Sequence, residues 1–314
     1  MRLQRTSLIS SLSVATLLLA SLFVGNTAET KSQQGNDSKA TMLFVVSAPQ
    51  PSMASMVPIA IIENGQFKQP VAGDSDGNEI STFSNAYYSK GHKYRVLFGG
   101  GEAGSLTIKK SNKDSECAKT SADVMLKTQA KLNRNAMALA TNSDSLGKGK
   151  STRRPPTPAE RSALMPLVKA AYKKMGVPAS LMPSLMTLNL TALDLDNDGK
   201  SELIGSFVVK KQKGGAARYV LFLFAEPEGN SYRTTVLQNE RFTKADIMEG
   251  AEITAIDNGV YLERLVDSLD VDGDGASEVV TIREGLEGDG YAIYKKQNGK
   301  WNKAYEFSNY RCGF

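Results

Sequence analysis

Two segments of the chain share one pattern: LDLDNDGKSEL at residues 193–203 and LDVDGDGASEV at residues 269–279. Each segment reads Leu-Asp-x-Asp-x-Asp-Gly-x-Ser-Glu-apolar, and the second copy begins 76 residues after the first. The residues after each copy are strand-like, and their pattern is that of strands joined by hairpins. The repetition therefore predicts an internal duplication of a strand–loop–strand unit.

Four carboxylates lie within each loop, at positions one, three, five and nine. Carboxylates on alternate residues of a tight turn can converge on one cation, and the glycine at position six permits the sharp turn. Position seven then offers its carbonyl, and the acid at position nine closes the ring of ligands. Oxygen ligands without His or Cys select Ca²⁺ or Mg²⁺. The alternative is an acidic β-turn with no ion, which the mutual repulsion of four carboxylates disfavours.

The two loops differ from an EF-hand, in which position twelve is a Glu and helices flank the loop. Position twelve is Gly205 in one copy and Thr281 in the other, and the flanking residues are strand-like. The loops resemble the calcium loops of FG-GAP/VCBS-type repeats, as in the β-propeller of integrin α-subunits, whose pattern is Asp-x-Asp-x-Asp-Gly-x-x-Asp before an apolar strand. The Glu at position nine and the lack of a Phe-Gly…Gly-Ala-Pro string depart from that family. The resemblance covers two loops with their flanking strands, too few to close a propeller.

The resemblance implies two Ca²⁺ sites built on the same five loop positions. In the first copy the implied ligands are Asp194, Asp196, Asp198, the carbonyl of Lys200, and Glu202. In the second copy they are Asp270, Asp272, Asp274, the carbonyl of Ala276, and Glu278.

The counts of histidine and cysteine exclude several kinds of metal site and the enzymes that use them. The 314 residues include one histidine, His92, and two cysteines, Cys117 and Cys312. HExxH proteases, four-cysteine zinc ribbons and cysteine-ligated iron–sulfur clusters are therefore excluded. We expect a non-enzymatic recognition or structural role, with a surface, glycan or protein ligand as partner. An exported hydrolase that uses paired carboxylates on glycans stays open as an alternative; its candidate acids are Glu226, Glu228, Glu284 and Glu287.

The N-terminus has the layout of a secretory signal peptide. Arg2 and Arg5 precede an uncharged, largely apolar run at residues 8–24, and Ala28 offers a cleavage site. We therefore expect a signal peptide at residues 1–28, a polar spacer at 29–41 and a secreted or periplasmic location. The alternative is a membrane anchor formed by an uncleaved signal. No later segment is long and apolar enough to span a membrane.

Export also bears on the two cysteines. In an oxidising compartment Cys117 and Cys312 are expected to form a disulfide, and two separate buried thiols are the alternative.

The charge balance points to no particular partner. Lys+Arg exceed Asp+Glu by 38 to 33, and removal of two arginines with the signal reduces the net charge to +3. The densest basic segment, residues 148–154, lies among Gly and Pro and indicates a linker. No nucleic-acid binding is therefore expected.

The remaining patterns predict a mainly β (α+β) fold in two parts. A small β-rich N-terminal domain is expected at residues 42–135, with a hairpin at Asn64-Gly65, and a linker at 136–156. Residues 157–314 are expected to form one amphipathic helix and a C-terminal antiparallel β domain that carries both loops. Thr157, Pro158 and Glu160 form the sequence signature of a capping box at the start of this helix. Residues 114–135 read as weakly helical, and 252–256 as a strand.

Overall fold

The first seven strands form a barrel with one additional strand. The computed structural model of the chain describes residues 40–312 except Pro51, Arg134 and Gly214. The strands are β1 (Thr41–Gln50), β2 (Met53–Glu63), β3 (Gln66–Lys68), β4 (Lys93–Phe98), β5 (Gly101–Ser111), β6 (Ala122–Thr128) and β7 (Ala138–Thr141). Six of them close into an antiparallel barrel in the order β1-β7-β4-β5-β6-β2, because β2 also pairs with β1. β3 pairs with β2 through the predicted Asn64-Gly65 hairpin, whose φ angles are 51° and 72°.

Two four-stranded antiparallel sheets follow the barrel, and each has its strands in sequence order. Sheet 1 contains β8 (Met186–Leu193), β9 (Glu202–Lys211), β10 (Ala217–Glu228) and β11 (Ser231–Thr243). Sheet 2 contains β12 (Glu263–Leu269), β13 (Glu278–Glu284), β14 (Gly288–Gln297) and β15 (Lys300–Tyr310). In each sheet an acidic loop joins the first two strands. The mainly β fold class is confirmed.

The described residues contain two α-helices: α1 (Gly77–Tyr87), which packs on the barrel through Phe83 and Tyr87, and α2 (Pro158–Lys174). The predicted capping box starts α2, since the Thr157 hydroxyl accepts from the Glu160 N–H at 3.2 Å and the Glu160 carboxylate accepts from the Thr157 N–H at 2.7 Å. Short 3₁₀ helices lie at Ala179–Ser184, Lys244–Asp246 and Ile253–Asn258.

The elements stack in the order α2, sheet 1, sheet 2, barrel. Leu164, Val168 and Tyr172 of α2 pack on one face of sheet 1. The opposite face packs on sheet 2 through Phe222 and Phe224. The far face of sheet 2 shares a core with the barrel, which includes Val280, Ile293 and Phe307 from the sheet with Leu43, Val45 and Leu139 from the barrel. Because both sheets are buried on both faces, their central strands are nearly continuous apolar runs.

Three local expectations are wrong, and one helix was not predicted. The range 136–156, expected as a linker, contains β7, whose four small or apolar residues are all buried in the barrel. The range 114–135, expected to be weakly helical, contains β6, because its side chains alternate between buried and exposed. Residues 253–258 form a 3₁₀ helix rather than a strand. Helix α1 was not predicted, since Ile80 and Ser84 are its only buried positions and leave little apolar periodicity to detect.

The predicted disulfide between Cys117 and Cys312 is confirmed, with a Cα–Cα distance of 5.0 Å. It ties the segment before β6 to the residues after β15, so it joins the barrel to the end of sheet 2.

The expected signal peptide at residues 1–28 and most of the spacer lie outside the described residues. Within residues 40–312, apart from the three gaps, no helix is both long and apolar enough to cross a bilayer.

Candidate metal centres

Each acidic loop leaves one strand and enters the next at paired positions. Leu193 pairs with Glu202 across β8 and β9, and Leu269 pairs with Glu278 across β12 and β13. We call residues 194–202 loop 1 and residues 270–278 loop 2. The glycine at position six adopts a left-handed conformation in both, with φ of 83° at Gly199 and 89° at Gly275. Only glycine takes this conformation at low cost, so the turn depends on it.

The two loops share a hydrogen-bonding scheme that fixes the first and last acids. The Gly199 N–H donates to Asp194 at 3.0 Å, and the Gly275 N–H donates to Asp270 at 3.0 Å. The buried glutamates Glu202 and Glu278 each accept from the N–H of position two, at 2.9 Å in both loops. The second oxygen of Asp270 also accepts a hydrogen bond, from the Gly273 N–H at 2.7 Å, whereas Asp194 Oδ1 has no hydrogen-bond partner among the described residues.

Three carboxylates converge in each loop. The ligating oxygens of Asp194, Asp196 and Glu202 lie within 4.8 Å of one another, and the same holds for Asp270, Asp272 and Glu278. In both sets the glutamate is buried, whereas the middle aspartate is exposed. Either group can therefore hold a metal ion approached from solvent.

Burial of the glutamates costs energy because a carboxylate loses its hydration. Burial first, and then the nearby Asp196 and Asp194 carboxylates, raise the pKa of Glu202 to about 7, although the hydrogen bond from the Leu195 N–H opposes this shift. Burial also raises the pKa of Glu278, although the Lys295 ammonium opposes this effect. A cation bound beside either glutamate would favour its ionised form.

The aspartate at position five is not one of the three converging carboxylates in either loop. Asp198 accepts from the Lys200 N–H at 2.8 Å, and Asp274 accepts from the Ala276 N–H at 2.9 Å. Both side chains are exposed. Their role as ligands, and that of the carbonyls of Lys200 and Ala276, stays a prediction.

The loops touch each other. The Asn197 side chain donates to the Gly275 carbonyl at 2.9 Å, and the Ser277 N–H donates to the Leu195 carbonyl at 2.7 Å. Asp194 and Asp270 also line one cleft of about 450 Å³, together with Lys148 and Lys150. The two candidate centres thus lie side by side next to the barrel.

Two neighbouring lysines on β14 approach the loops, and sequence reasoning missed both. The Lys295 ammonium contacts Asp272 and lies 3.1 Å from both Asp274 and Glu278. These hydrogen bonds, that to Asp272 first, raise the pKa of Lys295. Lys296 pairs with Glu226 at 2.6 Å and lies 3.9 Å from Asp196. The sequence does show two adjacent lysines just before the Asn298-Gly299 turn. Their contacts with the loops, however, depend on how β14 pairs with its neighbouring strands, which the sequence does not give.

Loop 1 contains a buried oxygen that fits a metal. Asp194 Oδ1 is buried and has no hydrogen-bond partner among the described residues. A buried carboxylate oxygen without a partner is costly, and a bound cation satisfies it. The donor set of this loop therefore suits a hard divalent ion.

The four glutamates considered for a carboxylate-dependent hydrolase belong to neither group of converging carboxylates. Glu226 is buried and paired with Lys296 and with Arg233 at 3.2 Å, and Glu284 pairs with Arg264 at 2.6 Å in sheet 2. Glu228 and Glu287 are exposed. The imidazole of His92 stacks on Tyr94, with ring centroids 5.0 Å apart.

Comparison of the chain with protein-family models, with curated proteins and with solved structures found no match.

Proposed function

We propose that this chain is an exported calcium-binding β protein whose two acidic loops hold Ca²⁺ and frame a recognition or structural surface. The observation that carries the proposal is the convergence of three carboxylates in each loop, one of them buried. The unsatisfied oxygen of Asp194 supports a bound cation at the first loop.

The choice of Ca²⁺ rests on ligand chemistry. Both clusters offer carboxylate oxygens and no nitrogen or sulfur, which disfavours zinc and copper. Mg²⁺ demands near-octahedral geometry and retains several waters, whereas Ca²⁺ accepts irregular sets of oxygen ligands. The resemblance to FG-GAP/VCBS loops also supports calcium.

The proposed role is recognition rather than catalysis. Glu226 and Glu284 are engaged in ion pairs within the fold, which leaves them poorly placed as general acids. The cleft beside the loops, lined by acidic and basic side chains, offers a polar surface for a glycan or protein ligand. The signal-like N-terminus supports action outside the cytoplasm.

Thermal unfolding of residues 29–314 with Ca²⁺, with Mg²⁺ and with EGTA tests the proposal. At a calcium concentration of a hundred times Kd, one site adds about 2.7 kcal/mol to the free energy of unfolding. We expect a higher Tm with Ca²⁺ than with Mg²⁺ or EGTA.

A double variant, D196N/D272N, removes one exposed carboxylate from each cluster and should lose the calcium shift. The matched control is D74N, because Asp74 is an exposed acid of an incomplete Asp-x-Asp-Gly copy outside both loops. Equal midpoints with Ca²⁺ and EGTA in the parent chain would refute calcium binding.

A further inference from the structure

The two loops differ in the cation that the protein itself supplies. In loop 2 the Lys295 ammonium lies among the carboxylates, in contact with Asp272 and 3.1 Å from Glu278. In loop 1, among the described residues, the only ammonium within 4 Å of the clustered carboxylates is that of Lys296, 3.9 Å from Asp196.

The difference arises at equivalent positions of the two sheets. Leu203 and Val279 are the first apolar residues after the loops, and they pair with Ala225 and Tyr294 respectively. The next residue along the third strand is Glu226 in sheet 1 and Lys295 in sheet 2. Sheet 1 thus places a carboxylate where sheet 2 places an ammonium. Glu226 in turn holds Lys296 at 2.6 Å, which keeps this second ammonium outside the cluster of loop 1.

The first aspartates differ in the same direction. Asp270 Oδ1 accepts from the Gly273 N–H at 2.7 Å, so both oxygens of this carboxylate are satisfied within loop 2. The corresponding Asp194 Oδ1 is buried without a partner among the described residues. Loop 1 therefore offers an acceptor that loop 2 has already used.

We infer that the loops are unequal: loop 1 is the high-affinity divalent-cation site, whereas Lys295 holds the cation position of loop 2 and must leave before a divalent ion enters. This inference rests on the proposed cation binding. The affinity of a site falls in proportion to the fraction of molecules in which it is competent, so an internal competitor weakens loop 2. Lys295 acts here as an affinity-setting residue, and its flexible side chain, about one-fifth exposed, has room to swing towards solvent.

Calcium titration by calorimetry and equilibrium dialysis on the chain without residues 1–28 tests the inference. The parent protein should bind one Ca²⁺ tightly. D196N in loop 1 should abolish this site, and D272N in loop 2 should leave it intact. K295M, which keeps the apolar stem of the side chain and removes its charge, should tighten the second site by about tenfold or more, as expected if loop 2 is competent in about a tenth of molecules or fewer.

K296M is the matched control, because Lys296 is the neighbouring lysine on the same strand and its ammonium pairs with Glu226. It should leave the affinity of loop 2 unchanged. Two sites of equal affinity in the parent, or an unchanged second site in K295M, would overturn the inference while leaving the proposed function standing. No calcium bound by the parent or any variant would overturn both. The comparison of D196N with D272N needs no lysine substitution, so the inference stays testable if K295M does not fold.

Discussion

Sheet 1 is packed between helix α2 and sheet 2, whereas sheet 2 is packed between sheet 1 and the barrel. The strand order and the acidic loop are the same in both. On β10 alternate residues serve the two sides, with Leu221 and Leu223 facing α2 and Phe222 and Phe224 facing sheet 2. On β14, Ala292 and Tyr294 face sheet 1 while Ile293 faces the barrel. Both sheets thus have an acidic loop and one face packed on the other sheet. Their remaining faces differ, because α2 covers sheet 1 and the barrel covers sheet 2.

The two sheets also differ in a buried polar anchor on their first strands. Sheet 2 carries Asp267, fully buried, which accepts from the Gly99 N–H at 2.8 and 2.9 Å and pairs with Arg153 at 3.2 Å. Three residues before loop 1, sheet 1 has Thr191 at the corresponding position. Sheet 2 is therefore tied to the barrel by a buried ion pair and by the disulfide, whereas α2 covers sheet 1 through apolar side chains.

Loss of the disulfide should have the largest effect, and it acts on sheet 2. Cys117 and Cys312 are 195 residues apart, and the chain-entropy model gives about 5 kcal/mol for a loop of this size. In urea unfolding, we expect the free energy of unfolding of C117S/C312S to be lower than that of the oxidised parent by nearly this amount. Hydrogen exchange should speed up first in β15 rather than in sheet 1. An unchanged unfolding midpoint would mean that packing alone holds sheet 2 on the barrel.

Removal of Arg153 should be nearly as costly. R153M leaves Asp267 buried without its counter-ion, which typically costs about 3–5 kcal/mol. The matched control is R154M, since Arg154 serves the sheet 1 side, where it pairs with Glu160 at 2.6 Å and is 40% exposed. Loss of such a pair costs about 1 kcal/mol or less. Urea unfolding at pH 8, above the pKa of about 6 that Asp267 has in the parent, measures both. Equal losses of stability in R153M and R154M would contradict the idea that the Arg153–Asp267 pair matters more than the Arg154–Glu160 pair.

The pH dependence of stability should also report on Asp267, the buried anchor of sheet 2. Burial raises the pKa of Asp267 to about 6, against the Arg153 charge and the Gly99 N–H. A carboxyl with a raised folded-state pKa adds stability that is fully present below its unfolded pKa and is lost as pH rises through the folded value. Between pH 4 and 7 this loss is on the order of 3 kcal/mol. D267N should remove it, while T191V in sheet 1 should not.

Subtraction of the D267N profile from that of the parent isolates this group, because Asp289 and Glu202, with pKa values raised to about 6 and about 7, remain in both proteins. A difference that grows in the parent's favour as pH rises would mean that the Arg153 charge outweighs burial.

Features set by short segments were predictable from the sequence. The Thr157–Glu160 capping box and the two loops each involve fewer than ten consecutive residues. The disulfide was predictable because only two cysteines are available. The choice of acids in each cluster was not, since Asp194 and Asp198 look alike in sequence. Their roles separate only in the folded turn, where Asp198 accepts from the Lys200 N–H.

Contacts between distant segments were beyond sequence reasoning. Asp267 and Gly99 are 168 residues apart, and their hydrogen bonds depend on how sheet 2 lies on the barrel. Lys295 reaches Asp272 across 23 residues through the register of the hairpin. Barrel closure depends on β7, a four-residue strand too short for a clear alternating pattern.

Weakening the cap of α2 should give the smallest effect, and it acts on sheet 1. T157A removes the hydroxyl that accepts from the Glu160 N–H, which typically costs about 1 kcal/mol. Because Leu164, Val168 and Tyr172 of α2 cover sheet 1, hydrogen exchange should speed up in β9 and β10 and stay unchanged in β13 and β14. T157S, which retains the hydroxyl, is the control and should match the parent. Equal acceleration in both sheets would show that sheets 1 and 2 open as one cooperative unit, so that their different covers do not give them separate stabilities.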